Sequence, residues 1–129
     1  MNKDRKRILI VDDDAKSRII LEMNLKAMEC DSVSVNNGEE AMETLASDPY
    51  FDLIITDIMM PYMTGFEFAA KLKEYVETRD IPLIATSAFH DWEKARQTHE
   101  LKVDGFVPKP VDRNVLRSEI LRVLGGRAG

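Results

Sequence analysis

A single cysteine, Cys30, in 129 residues excludes an intramolecular disulfide and any metal site built on several thiolates. No apolar run approaches the ~18 residues needed to span a bilayer. The N-terminal MNKDRKR leads into a strand-like run and not into the apolar core of a signal peptide. A cytoplasmic chain without membrane insertion is therefore expected. Basic residues are outnumbered, 18 Lys and Arg against 23 Asp and Glu, and the net charge of −5 offers no whole-domain attraction to nucleic acid. The cluster Lys3, Arg5, Lys6, Arg7 reads as a solvated lead-in. No internal repeat or low-complexity tract occurs. Glycines are missing after the first apolar run, where DDDAKS stands, so a nucleotide-binding Rossmann module does not fit.

What is present is an alternation that persists from end to end. The runs RILIV (7–11), DSVSV (31–35), FDLIIT (51–56), IPLIATS (81–87) and DGFVP (104–108) are short, branched and bounded by turn residues, the pattern of strands. Between them lie helical patterns. In AKSRIILEMNLKAME, Ile20, Met23 and Ala27 with Leu21, Leu25 and Met28 recur at spacings of three and four, and Asp14 is placed to cap the segment. GEEAMETLAS follows the turn cluster Asn36, Asn37, Gly38 and opens with two acids. TGFEFAAKLKEYV carries Thr64 and Glu67 at capping-box spacing. A last helix is expected from Asp112 to about Leu124, stopped by Gly125 and Gly126. Strict alternation implies parallel strands joined by helical crossovers, an α/β, doubly wound (βα)5 fold; a flavodoxin-like sheet order 2-1-3-4-5, one of the two common doubly wound arrangements, is expected, although periodicity alone does not fix it. One domain over 1–129 is expected, its core at about 7–124 and flexible ends at 1–6 and 125–129.

In such a sheet the carboxyl ends of the strands carry the chemistry. Here those ends bear Asp12 and Asp13 on the first strand, Asp57 on the third, Thr86 and Ser87 on the fourth, and Lys109 with Pro110 after the fifth. Two unit charges ~4 Å apart interact by about 4 kcal/mol at an effective dielectric near 20. An acid cluster of this kind either raises a pKa or holds a cation. Oxygen-only ligands suit Mg²⁺. With lysine on the opposite wall and a hydroxyl nearby, the pocket forms a receptacle for a phosphoryl group, and Asp57, on the central strand, is the candidate nucleophile.

The segments ILIVDDD, FDLIITDIMMPYMTGFE, LIATSA and GFVPKP, in this order and over almost the whole chain, resemble the receiver domains of two-component response regulators, the single-domain chemotaxis type being similar in size. The resemblance implies that Asp57 accepts a phosphoryl group from a phosphohistidine of a sensor histidine kinase or a histidine phosphotransfer protein. It implies Mg²⁺ (or Mn²⁺) held by Asp12, Asp13, Asp57 and the main-chain carbonyl of Met59. It further implies that Ser87 hydrogen-bonds the phosphoryl group, that Lys109 pairs with it, that Phe106 turns inward when Ser87 moves, and that the Lys109–Pro110 bond is cis. Ser87 stands where threonine is commoner, and Phe106 where tyrosine or another aromatic is usual.

On this reading the chain is a signalling phosphoacceptor that catalyses only its own phosphorylation and dephosphorylation. It would reach a downstream protein through the face of the fourth helix, fifth strand and fifth helix, as a monomer or a phosphorylation-dependent dimer. The alternatives are a receiver excised from a larger regulator or hybrid histidine kinase, and a receiver-like interaction module that is never phosphorylated. A haloacid-dehalogenase-type phosphatase would need a second acid two residues after the nucleophile, where Met59 stands. Asp14 reads as a helix cap, Thr86 as a packing or turn hydrogen-bonding residue, His90 and His99 as surface residues, and the seven methionines as core filler. Trp92 is open between partial burial and partner contact. HDWEKARQTHEL has few large apolar residues after Trp92, so that helix should be loosely held, and phosphorylation is expected to reshape the surface around Phe89, Trp92 and Phe106. Met59 and Phe89, apolar where the family flanks the hydrolytic water, imply a long-lived aspartyl phosphate.

Overall fold

The computed structural model describes residues 5–96 and 103–127. Strands and helices alternate as β1 (Arg7–Val11), α1 (Ala15–Ala27), β2 (Asp31–Val35), α2 (Gly38–Ser47), β3 (Leu53–Asp57), α3 (Gly65–Lys73), β4 (Leu83–Ala88), α4 (Phe89–Arg96), β5 (Gly105–Lys109) and α5 (Arg113–Arg127). All pairings are parallel, in the order β2-β1-β3-β4-β5. The doubly wound, flavodoxin-like expectation is met.

The unbroken apolar runs follow from having helices on both faces of the sheet. Ile8, Ile10, Leu53, Ile55, Ile84 and Val107 point to one side, where Leu21 and Leu25 of α1 and Leu116, Ile120 and Val123 of α5 cover them. Leu9, Val11, Ile54 and Leu83 point to the other, under Ala41 and Leu45 of α2 and Phe68, Ala69 and Leu72 of α3. Burying each of the larger of these side chains, Val, Leu, Ile or Phe, stabilises the fold by roughly 1.5–3 kcal/mol. The chain leaves β1 toward the β2 edge, then crosses to β3 on the other flank, so the carboxyl ends of β1 and β3 open onto the switch point.

Caps behave as their side chains allow. Asp14 caps α1 and Asn37 caps α2, and Thr64 with Glu67 closes a reciprocal capping box on α3. Asp112 accepts from the backbone N–H groups of Asn114 and Val115 at 2.8 and 3.1 Å. Four expectations need correction. The expected stop at Gly125 and Gly126 does not occur, since α5 runs to Arg127; glycine costs a helix only about 1 kcal/mol per residue and tolerates helical angles. Helix α3 ends at Lys73, short of Val76, because Thr78 Oγ1 donates to the Leu72 carbonyl at 2.7 Å and turns the chain toward β4. The buried face of α1 is Leu21, Asn24 and Leu25, while Ile20 and Met23 are 46% and 62% exposed. A polar Asn lies on that face because Arg113 Nε donates to its Oδ1 at 2.8 Å and its own amide donates to Ile20 O at 2.9 Å. Met23 and Met59 are likewise not core residues.

Gly65 ties the fold to the rim of the sheet. A Cβ there would lie 2.6 Å from the Asp57 carbonyl oxygen and 2.8 Å from Ile58 Cα, both backbone atoms. Its N–H donates to Ile58 O at 2.9 Å. Gly65→Ala must therefore push α3 away from the end of β3, and urea unfolding should show a loss of about 1–3 kcal/mol, the usual range for overpacking.

Candidate functional site

Asp57 ends β3, and its β-ladder partner on β4 is Thr86; Ser87 and Ala88 pair with Pro108 and Lys109 of β5. Asp12 and Asp13 follow β1 directly. The strands thus deliver three acids, a hydroxyl and an ammonium to one rim. Lys109 Nζ lies 2.9 Å from Asp12 Oδ2 and 3.1 Å from Asp57 Oδ2. Asp12 is fully buried and Asp57 nearly so.

The remaining oxygens are held from the backbone. Asp12 Oδ1 accepts from the N–H of Asp14 at 2.9 Å, and Asp57 Oδ1 from that of Met59 at 3.2 Å. Arg18 donates to the Asp12 carbonyl at 2.8 Å. Each of Asp12, Asp13 and Asp57 offers one oxygen, all within 4.8 Å of one another, and Asp13 is exposed. An oxygen-only set with one exposed member fits a hard divalent ion that keeps water ligands.

Ser87 Oγ is buried with no hydrogen-bond partner among the described residues. An orphaned buried hydroxyl costs about 1–3 kcal/mol. The neighbouring Thr86 hydroxyl is buried and satisfied, since it donates to Thr56 O at 3.4 Å. Phe106 is half-buried and stacks on Trp92, ring centroids 4.2 Å apart and planes 9° from parallel. Trp92 is itself half-buried. The Lys109–Pro110 bond is cis. Met59 is exposed, as is His90; His99 and the Phe89 side chain lie outside the described residues. Sequence reading missed Arg18 and Ser17, the latter with its Oγ 3.4 Å from Lys109 Nζ. Only their positions one helical turn beyond the acid run could have pointed to them.

Burial pushes the Asp57 carboxyl above the usual carboxylate range; Lys109 opposes this and Asp12 adds to it. Burial would lower Lys109, but its hydrogen bond to Asp12 and the two carboxylate charges win and raise it. An acid whose pKa is raised by folding is destabilising once ionised, so its favourable contribution, complete below the ordinary aspartate value of 3.8, is lost as pH rises through the folded pKa. Asp57→Asn should therefore stabilise the metal-free protein at pH 7, Lys109 keeping Asp12 as partner. Urea unfolding should show that gain shrinking as pH falls toward 3.8.

No helix among the described residues is long and apolar enough to cross a membrane. The response regulator receiver domain model matches residues 8–121. The two-component response regulator ORR5 of Oryza sativa is 33% identical over 118 residues, 89% of this chain and 88% of the rice protein. The 3',5'-cyclic-nucleotide phosphodiesterase regA of Dictyostelium discoideum is 35% identical over 120 residues, which span 92% of this chain but 15% of that protein. The solved signal receiver domain of a signal transduction histidine kinase from Syntrophus aciditrophicus is 32% identical, with a TM-score of 0.80 over 94% of this chain and 91% of that one. With the rim residues converging as described, the chain belongs to the response regulator receiver domain family.

Proposed function

We propose that this receiver domain takes a phosphoryl group onto Asp57 from a phosphohistidine of a sensor histidine kinase or histidine phosphotransfer protein. The observation that carries the reading is Lys109 Nζ set between Asp12 and Asp57 at 2.9 and 3.1 Å. A carboxylate raised by burial is a better nucleophile than a solvated one, and the ammonium beside it receives the charge that develops on the incoming oxygens. In the transfer, an Asp57 oxygen bonds to phosphorus as the P–N bond breaks, and the imidazole leaves with the bonding electrons and takes up a proton. Asp12, Asp13, Asp57 and the Met59 carbonyl would hold Mg²⁺ or Mn²⁺. When bound, that ion neutralises charge on the phosphoryl oxygens. Ser87 gives its partnerless hydroxyl to the phosphoryl group, and Lys109 pairs with it.

The output follows from the same rim. Drawing Ser87 toward the phosphoryl group shifts β4 beside Phe106, and the Trp92–Phe106 stack breaks or slides. A phosphoryl group brings nearly two negative charges, enough to bias such a two-state contact. The face of α4, β5 and α5 is then read by a downstream protein. A chemistry confined to Asp57 means the domain turns over no substrate besides its own aspartyl phosphate. Relatives carry such a domain both as most of the chain and as a small part of a longer one.

Incubation with acetyl phosphate and Mg²⁺ should add the mass of one phosphoryl group to the intact protein, and Asp57→Asn should abolish the addition. Unmodified wild-type protein would instead favour an interaction module that keeps only the fold. Phosphorylation should also change Trp92 fluorescence and speed amide exchange in α4; an unchanged signal would remove this switching route.

A further inference from the structure

We infer that Ser17 is a positioning residue of the phosphoacceptor pocket, acting through Lys109; this rests on the phosphoacceptor reading above. A lysine ammonium carries three N–H donors and no acceptor. Lys109 Nζ directs them at Asp12 Oδ2 (2.9 Å), Asp57 Oδ2 (3.1 Å) and Ser17 Oγ (3.4 Å). The hydroxyl completes the set.

Its orientation is fixed from behind. Ser17 Oγ donates to Asp14 Oδ2 at 2.9 Å, so its proton is committed away from the lysine and its lone pairs are left for the ammonium. Asp14 is in turn held as the cap of α1, where it also accepts from the Ser17 backbone N–H at 3.1 Å. The first turn of α1 thus sets the position of the ammonium on β5, through the chain Asp14, Ser17, Lys109. Without it, a lysine whose side chain is 23% exposed can turn one donor to water.

Ser17 also differs from the other two partners in kind. Asp57 changes its charge and bonding when it takes up phosphorus, and Asp12 is an acid that a divalent ion would engage. The serine hydroxyl is chemically the same before and after transfer. It can keep one N–H of the ammonium engaged while another turns from carboxylate to phosphoryl oxygen.

The test uses the full chain with acetyl phosphate and Mg²⁺, following the initial rate of phosphoryl incorporation by intact mass. Nitrogen-15 NMR of the Lys109 side chain in the metal-free protein is a second readout. Ser17→Ala keeps the backbone N–H that α1 needs for its cap. It should slow incorporation by about tenfold, less than the hundredfold that a 1 Å misplacement can cost, and should broaden the Lys109 ammonium signal through faster exchange with water. Ser17→Thr should restore most of the rate. In a Lys109→Gln background, Ser17→Ala should make no further difference. Asp14→Ser, which keeps a capping oxygen but removes the carboxylate behind Ser17, should slow the reaction in the same direction and covers the case of a Ser17→Ala protein that does not fold.

Equal rates and equal ammonium signals for wild type and the Ser17 and Asp14 variants would overturn this inference and leave the phosphoacceptor reading standing. So would an undiminished Ser17→Ala effect without Lys109. Absence of incorporation in the wild-type protein would overturn the phosphoacceptor reading, and this inference with it.

Discussion

The clamp of Lys109 on Asp12 and Asp57 is the constraint on which the pocket depends. Removing two carboxylates from water at the rim of an apolar sheet is unfavourable unless something positive meets them. The ammonium meets both, at 2.9 and 3.1 Å. The balance is incomplete, because burial and the neighbouring acid still leave Asp57 above the usual carboxylate range. A fold optimised for stability alone would not keep this arrangement. A site that takes up phosphorus needs it, since the unrelieved anionic character is what a cation or an incoming electrophile relieves.

The rest of the molecule serves to hold that arrangement still. Parallel pairing with helices on both faces fixes the carboxyl ends of β1, β3, β4 and β5 at one rim. Gly65 lets α3 press against the backbone of Asp57 and Ile58. The Asp14 cap anchors the turn that follows Asp12. Beside β4, Trp92 of α4 stacks on Phe106 of β5. On the proposed reading, this is the route by which a chemical change at Asp57 would reach the neighbouring surface.

Much of this was legible in the chain. Strand and helix alternation gave the layers, and Asp12, Asp13, Asp57 and Lys109 could be assigned to one rim because parallel topology sends all strand ends the same way. Helix ends were less legible. Thr78 ends α3 from outside the helix by taking the Leu72 carbonyl, and a contact of that sort leaves no periodic signal. The α1 stripe was drawn too wide, since Ile20 and Met23 are apolar yet exposed and Asn24 is polar yet buried. Period alone cannot register a partner such as Arg113, 89 positions away. Ser17 is illegible for the same reason: in the sequence it is an ordinary first-turn serine, and only the fold brings Lys109 of β5 to it.

The Asn24–Arg113 bridge has a consequence for how this sequence can drift. Truncating Arg113 strands a buried amide oxygen, at a cost of about 1–3 kcal/mol, whereas exchanging both partners for a matched apolar pair is close to neutral. A change at Asn24 leaves only a guanidinium at an exposed position, open to water, so descendants that lose the bridge should lose Asn24 before Arg113.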